Sequence, residues 1–298
     1  MNRAMQLLGS ASAWYSTMRY ILKNRGNATY GATQLRTLVE KYIFDYGQSS
    51  DDYSAAQRAV EEIIPLLTPK ANVILTRIGP AFDGGYIGIA PSTPPYLLSG
   101  GAGKNTDFEY ELAKDGAIIH IYDPRVQKIP RDHANITHFR EALTSENDKT
   151  FGKSKSLKQA ISLFNRTTGS PLWLKLDIEG SEIELLADEI STLEHFSQIF
   201  IEFHDSYRLV DEKFRKNFLT ILKSLAKNFD LVSISSNNWR GVTNFGHAFI
   251  PDTFEVTYLN KKVITHSHPN SVTESLKRPN NPRRLAIPST PFAVSQTQ

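Results

Sequence analysis

An α/β fold built on a seven-stranded, mostly parallel sheet is predicted by three features of the chain. Seven short apolar runs recur along it, helical patterns lie between them, and Gly-rich or acidic turns stand at the strand-to-helix junctions. Strand, turn and helix in repetition imply right-handed crossovers and a parallel sheet, whose ligands sit at the carboxyl ends of the strands.

The runs cover residues 96–99, 117–122, 136–140, 172–176, 198–203, 231–235 and 253–259. Thr106 with Glu109, and Ser181 with Glu184, have capping-box spacing and start helices after the first and fourth strands. Seventeen residues rich in Asn, Gly and Trp join the last two runs without a helical pattern, so this pair is expected as an antiparallel hairpin at the sheet edge. Ahead of the sheet, 73–79 and 82–90 flank a Gly-rich bend and read as a hairpin or entry loop.

From residue 4 to about 67 the pattern is helical, with Leu35, Leu38, Val39 and Tyr42 on one face and Ala59, Ile63 and Leu67 on another. The chain is therefore divided into an α-helical N-terminal extension (1–70), the α/β domain (71–260) and a basic, Pro-rich tail (261–298), which is expected to be extended. The helices of the extension could pack on the domain or on a second subunit, making a homo-oligomer.

At 298 residues and 40% hydrophobic content the chain can bury a sizeable core. Its formal charge of +3 is uneven: the tail holds six Lys or Arg against one Glu, which leaves about −2 on the preceding residues. Bulk charge thus gives no reason to expect a nucleic-acid partner. The absence of cysteine excludes disulfides, thiolate metal sites and cysteine nucleophiles, and makes the cytoplasm the expected compartment. No apolar run reaches membrane-spanning length, so no membrane span is expected.

Three constellations carry chemistry. The first is Gly100, Gly101 and Gly103 after the first strand, with Asp123 twenty residues past Gly103 at the end of the second. Glycines allow close backbone approach, and a carboxylate at that strand tip can take the ribose hydroxyls of an adenosine cofactor, although Asp123-Pro124 could also be a simple turn. NAD is the rival ligand, but Thr106 stands where its fingerprint has a third glycine. Tyr110 and Lys114 read as an exposed helical pair.

The second constellation is Asp177, Glu179 and Glu182 at the end of the fourth strand, where acids can orient a hydroxyl, accept its proton or contact a charged cofactor. Glu182 and Glu184 are accounted for by a helix N-terminus, Asp177 much less so. The third is Glu202, His204 and Asp205 at the end of the fifth. Alternation puts Glu202 and His204 on one side, and His204 would emerge near Asp177 if these strands are neighbours, as a base or as a hydrogen-bonded structural residue. A metal at Asp177, His204 and Asp205 is conceivable, but the spacing is not diagnostic and none is assigned. Asn237, Asn238 and Trp239 could line an acceptor pocket or form a turn, and His266 and His268 read as solvated.

The arrangement resembles the FkbM-like family of S-adenosylmethionine-dependent methyltransferases from about Arg77 to Pro282. The resemblance rests on Arg77-Ile-Gly with Asp83-Gly-Gly-Tyr86, Gly100-Gly-Ala-Gly with Asp107-Phe-Glu109, Tyr122-Asp-Pro124, Lys175-Leu-Asp-Ile-Glu-Gly-Ser-Glu182, Ile201-Glu-Phe-His204, Pro251-Asp-Thr-Phe-Glu-Val-Thr-Tyr258 and Arg278-Pro-Asn-Asn-Pro282.

It implies a Rossmann-like seven-stranded methyltransferase sheet with an antiparallel last strand, S-adenosylmethionine as cofactor, and O-methylation of a sugar or related natural-product hydroxyl. Carried over by position, Gly100, Gly101 and Gly103 would line the cofactor and Asp123 would hold its ribose. Arg140, Glu141, Ala142 and Leu143 would lie beside the adenine, and Asp177 at the cofactor–substrate junction. Many such enzymes carry an acid at the end of the first strand. Here Leu98-Ser99 stands there, so Asp107 or Glu109 could supply the charge, or the methionine end could be held differently.

The expected chemistry is in-line displacement with Asp177 or His204 drawing off the acceptor proton and Glu179 as a further catalytic candidate. A non-catalytic cofactor-binding accessory module and an NAD-dependent oxidoreductase are the alternatives. The basic tail could touch an anionic carrier of the small-molecule or saccharide acceptor.

Overall fold

The computed structural model describes residues 49–70, 73–146, 151–165, 169–246, 248–264 and 276–283. By compactness the chain divides into Met1–Ala55 and Ala56–Gln298. Helix α1 (Ser50–Leu66) begins in the first unit and ends in the second. Its N-terminus is a capping box, the Ser49 hydroxyl accepting from Asp52 N while the Asp52 carboxylate accepts from Ser49 N and Oγ. In the second unit the predicted stripe of Ala59, Ile63 and Leu67 is buried. The predicted face of Leu35 to Tyr42 lies outside the described residues.

The second unit opens with strands β1 (Thr76–Ile78) and β2 (Tyr86–Gly88), an antiparallel pair as read from the Gly-rich bend. Then follow β3 (Tyr96–Gly100), α2 (Asp107–Lys114), β4 (Ile118–Tyr122), β5 (Ile136–Phe139), α3 (Leu157–Ser162), β6 (Leu172–Leu176), α4 (Glu182–Asp188), β7 (Gln198–Phe203), α5 (Glu212–Asn228) and β8 (Phe229–Ser236). Strands β9 (Val242–Phe245) and β10 (Ala248–Pro251) form a small hairpin, and β11 (Phe254–Asn260) ends the sheet.

The seven-stranded sheet has the order β8-β11-β7-β6-β3-β4-β5. All neighbours are parallel except β11, which runs antiparallel to both β7 and β8. Every residue of β3, β6 and β7 is buried, as expected of central strands covered on both faces. One face packs on α2 through Phe108, Leu112 and Ala113, and Tyr86, Phe108 and Phe200 meet edge to face with centroids 5.1–5.8 Å apart. The predicted antiparallel edge is present, and the seventeen-residue link within it carries the β9–β10 hairpin.

Neither predicted capping box forms. The Thr106 hydroxyl instead exchanges hydrogen bonds with the Arg131 backbone, and Asp107 N donates to Asn105 Oδ1. Ser181 has helical backbone angles, and its side chain makes no cap bond. In each helix a buried glutamate reaches the sheet, Glu109 to Ser99 and Glu182 to His204, while Glu182 also accepts from the backbone just ahead of its helix.

Among the described residues no helix is long and apolar enough to cross a membrane.

Candidate active site

The order of strands reverses at β3, whose two neighbours are β4 and β6, and the carboxyl ends of these strands form the crevice where such sheets bind ligands. Register places Gly100 opposite both Tyr122 and Leu176, so the glycine turn, Asp123 and Asp177 emerge at one level. Gly101 N donates to Tyr122 O and Asp177 N donates to Gly100 O, tying the three strand ends together. Gly101 has φ +84°, and a Cβ there would stand 1.8 Å from the Asp177 carbonyl oxygen, so only glycine fits. At Gly103 a Cβ would meet nothing within 4 Å, so this side of the turn faces open space.

Asp123 is buried at the predicted strand tip. Its Oδ2 accepts from Ala102 N and Gly103 N, and its Oδ1 from Arg125 N and Val126 N. Burial alone would raise this carboxyl, but these four backbone donors outweigh it and hold the group below the ordinary aspartate value. Arg140 is exposed, Glu141 half-buried and Ala142 buried, all just beyond β5. Leu143 closes on the glycine turn, its Cδ1 3.1 Å from where a Cβ on Gly100 would be.

Beneath the turn lies a buried ionic group that the sequence reading did not assemble. Lys175, only 4% exposed, donates from Nζ to Gly101 O at 2.7 Å and stands 3.4 Å from Glu109 and 3.9 Å from Asp177. Ser99 Oγ donates to Glu109 at 2.6 Å. Burial depresses the Lys175 ammonium, but Glu109 and then Asp177 more than restore it, above the ordinary lysine value. Glu109 thus lies against Ser99 and Lys175 beside the end of the first strand, whereas Asp107 turns outward to Arg131, with 2.8 Å between them.

Across the crevice, His204 is 4% exposed and its Nδ1 lies 3.1 Å from Glu182. Glu182, read from sequence as a helix-end acid, is fully buried and accepts from Ile178 N and Gly180 N as well. Burial works against the imidazolium, but Glu182, Glu202 and Asp177 together raise His204 well above its ordinary pKa. Glu182 responds in the opposite sense: His204 and the backbone donors outweigh burial and hold it below the usual carboxylate range. His204 and Asp177 are neighbours, as predicted, with Nε2 to Oδ1 at 4.0 Å.

Beyond His204 lies a buried cluster of carboxylates and amides. Glu202 and Glu255 face each other directly across the β7–β11 ladder. Asn237 Nδ2 donates to Glu202, and Asn280 Nδ2 donates to Glu255 at 2.6 Å and to Asp83 at 3.3 Å. Asn238 and Asn281 exchange bonds through Asn238 Oδ1 and Nδ2. Part of the predicted extended tail, residues 276–283, therefore folds back onto this cluster, with Asn280 and Asn281 buried. Tyr86 Oη donates to Asp177 Oδ2 over 3.4 Å.

Burial pushes Glu202 well above its ordinary value, with Asp177 adding to the effect. Glu255 is raised by burial to about 7 although Asn280 and Arg77 act against the shift. Folded Glu255 keeps a proton that the unfolded chain releases between about pH 4.5 and 7, so stability falls as pH rises through that window, by on the order of 3 kcal/mol. Denaturation at pH 5 and pH 8 should show this loss in the wild type and a clearly smaller one in Glu255→Gln. An equal loss in both would remove Glu255 as its source.

No protein-family model matches the chain, and no curated protein does. Among solved structures it is similar to a fibrillarin/Nop5p complex, at 14% identity over 56% of this chain and 73% of that one, with a TM-score of 0.34. A Methanococcus jannaschii fibrillarin pre-rRNA processing protein gives 12% identity over 58% and 70%, with a TM-score of 0.33. A candidate methyltransferase from Thermoplasma acidophilum gives 12% identity over 57% and 70%, with a TM-score of 0.30. The strand order and the antiparallel β11 are those expected of a Rossmann-like methyltransferase fold, and that is the fold of this chain.

Proposed function

We propose that the chain is an S-adenosylmethionine-dependent methyltransferase acting on a hydroxyl of a sugar or related natural product, the activity its FkbM-like resemblance implies. One observation carries this reading. At the switch point a glycine turn open on one side adjoins Asp177, which is 29% exposed beside a cluster of hydrogen-bonding carboxyls and amides.

The residues suit such a cofactor: the Gly100–Gly103 backbone would form the floor, and Asp177 would lie near its charged end. Asp123 would hold the ribose by exchanging some of its four backbone donors for hydroxyls. When bound, S-adenosylmethionine supplies a sulfonium-activated methyl group that an oxygen lone pair can take.

The chain's part is to position the acceptor and take its proton. Glu202, Glu255, Asn237 and Asn280 offer donors and acceptors of the kind a polyhydroxylated molecule needs. Asp177 is the group placed to accept the hydroxyl proton. His204, whose pKa Glu182 raises against the effect of burial, is the less suited of the two to that role.

Calorimetric titration of S-adenosylmethionine and S-adenosylhomocysteine tests the reading. Binding in the micromolar range is expected, and Asp123→Asn should weaken it at least about tenfold, because an amide nitrogen cannot accept the donors that shape the turn. A folded chain that binds neither compound, and is stabilised against heat by NADH, would sink the proposal.

A further inference from the structure

The imidazole of His204 is anchored on one edge and unanchored on the other. Nδ1 is held at 3.1 Å by fully buried Glu182. Nε2, on a side chain 4% exposed, makes no hydrogen bond. Around it stand Glu179 Oε2 at 3.8 Å, Glu202 Oε1 at 3.9 Å and Asp177 Oδ1 at 4.0 Å. A direct N–H···O⁻ bond would bring one of them to about 2.8 Å. All three stop about an ångström short of that. The ligand atoms of Asp177, Glu179 and His204 lie within 4.8 Å of one another.

We infer that this gap is a divalent-cation site, with Asp177, Glu179 and His204 as ligands and Glu202 at its rim. Ligand atoms around an ion with bonds of about 2.1 Å stand roughly 3.0–4.2 Å apart, the range in which the contacts to Nε2 fall. The arrangement is more than an accumulation of acids, because the second ring nitrogen of a side chain only 4% exposed, its first held by Glu182, points into it. Glu182 performs for the ring what outer carboxylates do for metal-bound histidines, fixing Nδ1 as the donor and leaving the Nε2 lone pair for the ion.

Glu179 is the exposed member. Its backbone has φ +56°, and Arg240 bridges it to Asp205 with both contacts at 3.4 Å, which keeps the carboxylate over the ring. Two carboxylates with one imidazole suit Mn²⁺, with Zn²⁺ as a competitor. Bound here, the ion would offset the excess of carboxylates gathered around Nε2. Its remaining positions face the crevice, where an acceptor hydroxyl could take one and become more acidic. That last role rests on the methyl-transfer reading, whereas the site itself does not.

The test is titration of Mn²⁺ into the purified full-length chain, followed by electron paramagnetic resonance and repeated with Zn²⁺ as competitor. One Mn²⁺ per chain is expected. Binding should be weakened about ten- to a hundredfold by Glu179→Gln, whose exposed side chain poses no threat to folding, and abolished by His204→Ala. No stoichiometric binding of either metal, or binding that Glu179→Gln leaves unchanged, overturns the site. Metal binding in a chain that takes up no S-adenosylmethionine would leave the site standing and remove only the methyl-transfer reading.

Discussion

Lys175→Met is expected to destabilise the chain by about 3–5 kcal/mol, because it strands the buried Glu109 carboxylate without its cation. Methionine fills much the same volume, so the loss reports charge rather than a cavity. It also removes the donor to Gly101 O, the bond that holds the glycine turn against β6. On a total stability of about 5–15 kcal/mol this is a large fraction, and urea denaturation would read it directly. Adding Glu109→Gln should return part of the loss, since the remaining amide no longer carries an unpaired charge. A single-substitution cost below about 1 kcal/mol, or a double variant worse than the sum of the two, would show that Lys175 and Glu109 do not act as a pair.

Much of this architecture is legible locally. The strands announce themselves because central parallel strands must be apolar on both faces, and the runs at 172–176 and 198–203 coincide with β6 and β7. The glycine turn was legible too, since a residue that must pass under the Asp177 carbonyl has no alternative to Gly101. The ion pairs were not, because their partners come from different strands and depend on register. Glu182 has the spacing of a helix-end acid, and only the pairing of β6 with β7 brings His204 to it. Glu202 and Glu255 meet through the β7–β11 ladder, more than fifty residues apart in sequence. One signal was available: a lysine inside the apolar run Leu172-Trp-Leu-Lys-Leu176 is costly to bury alone, and so demands a buried acid nearby. Asn280 offered none, because an asparagine in a Pro-rich basic segment looks the same whether it is solvated or buried against a carboxylate.

Asp177→Asn is expected to lower turnover by roughly 10²- to 10⁴-fold, the contribution typical of a positioned proton acceptor. The substitution keeps the side chain's size and the bond from Tyr86 Oη, so the crevice keeps its shape. What it loses is the capacity to take a proton. Lys175 at 3.9 Å and His204 at 4.0 Å lose this carboxylate but keep Glu109 and Glu182 as partners, so the loss of negative charge falls on the junction itself. A bound sulfonium would lose the same negative charge, and cofactor affinity should therefore fall as well, though by far less than turnover. The division between the two decides the role of Asp177. A large loss in kcat with a small change in S-adenosylmethionine affinity assigns it to proton transfer, since only an interaction strengthened in the transition state behaves that way. Equal losses in affinity and in kcat/KM, with kcat preserved, would assign it instead to holding the cofactor's charge, and the proton acceptor would have to be sought among Glu179 and Glu202.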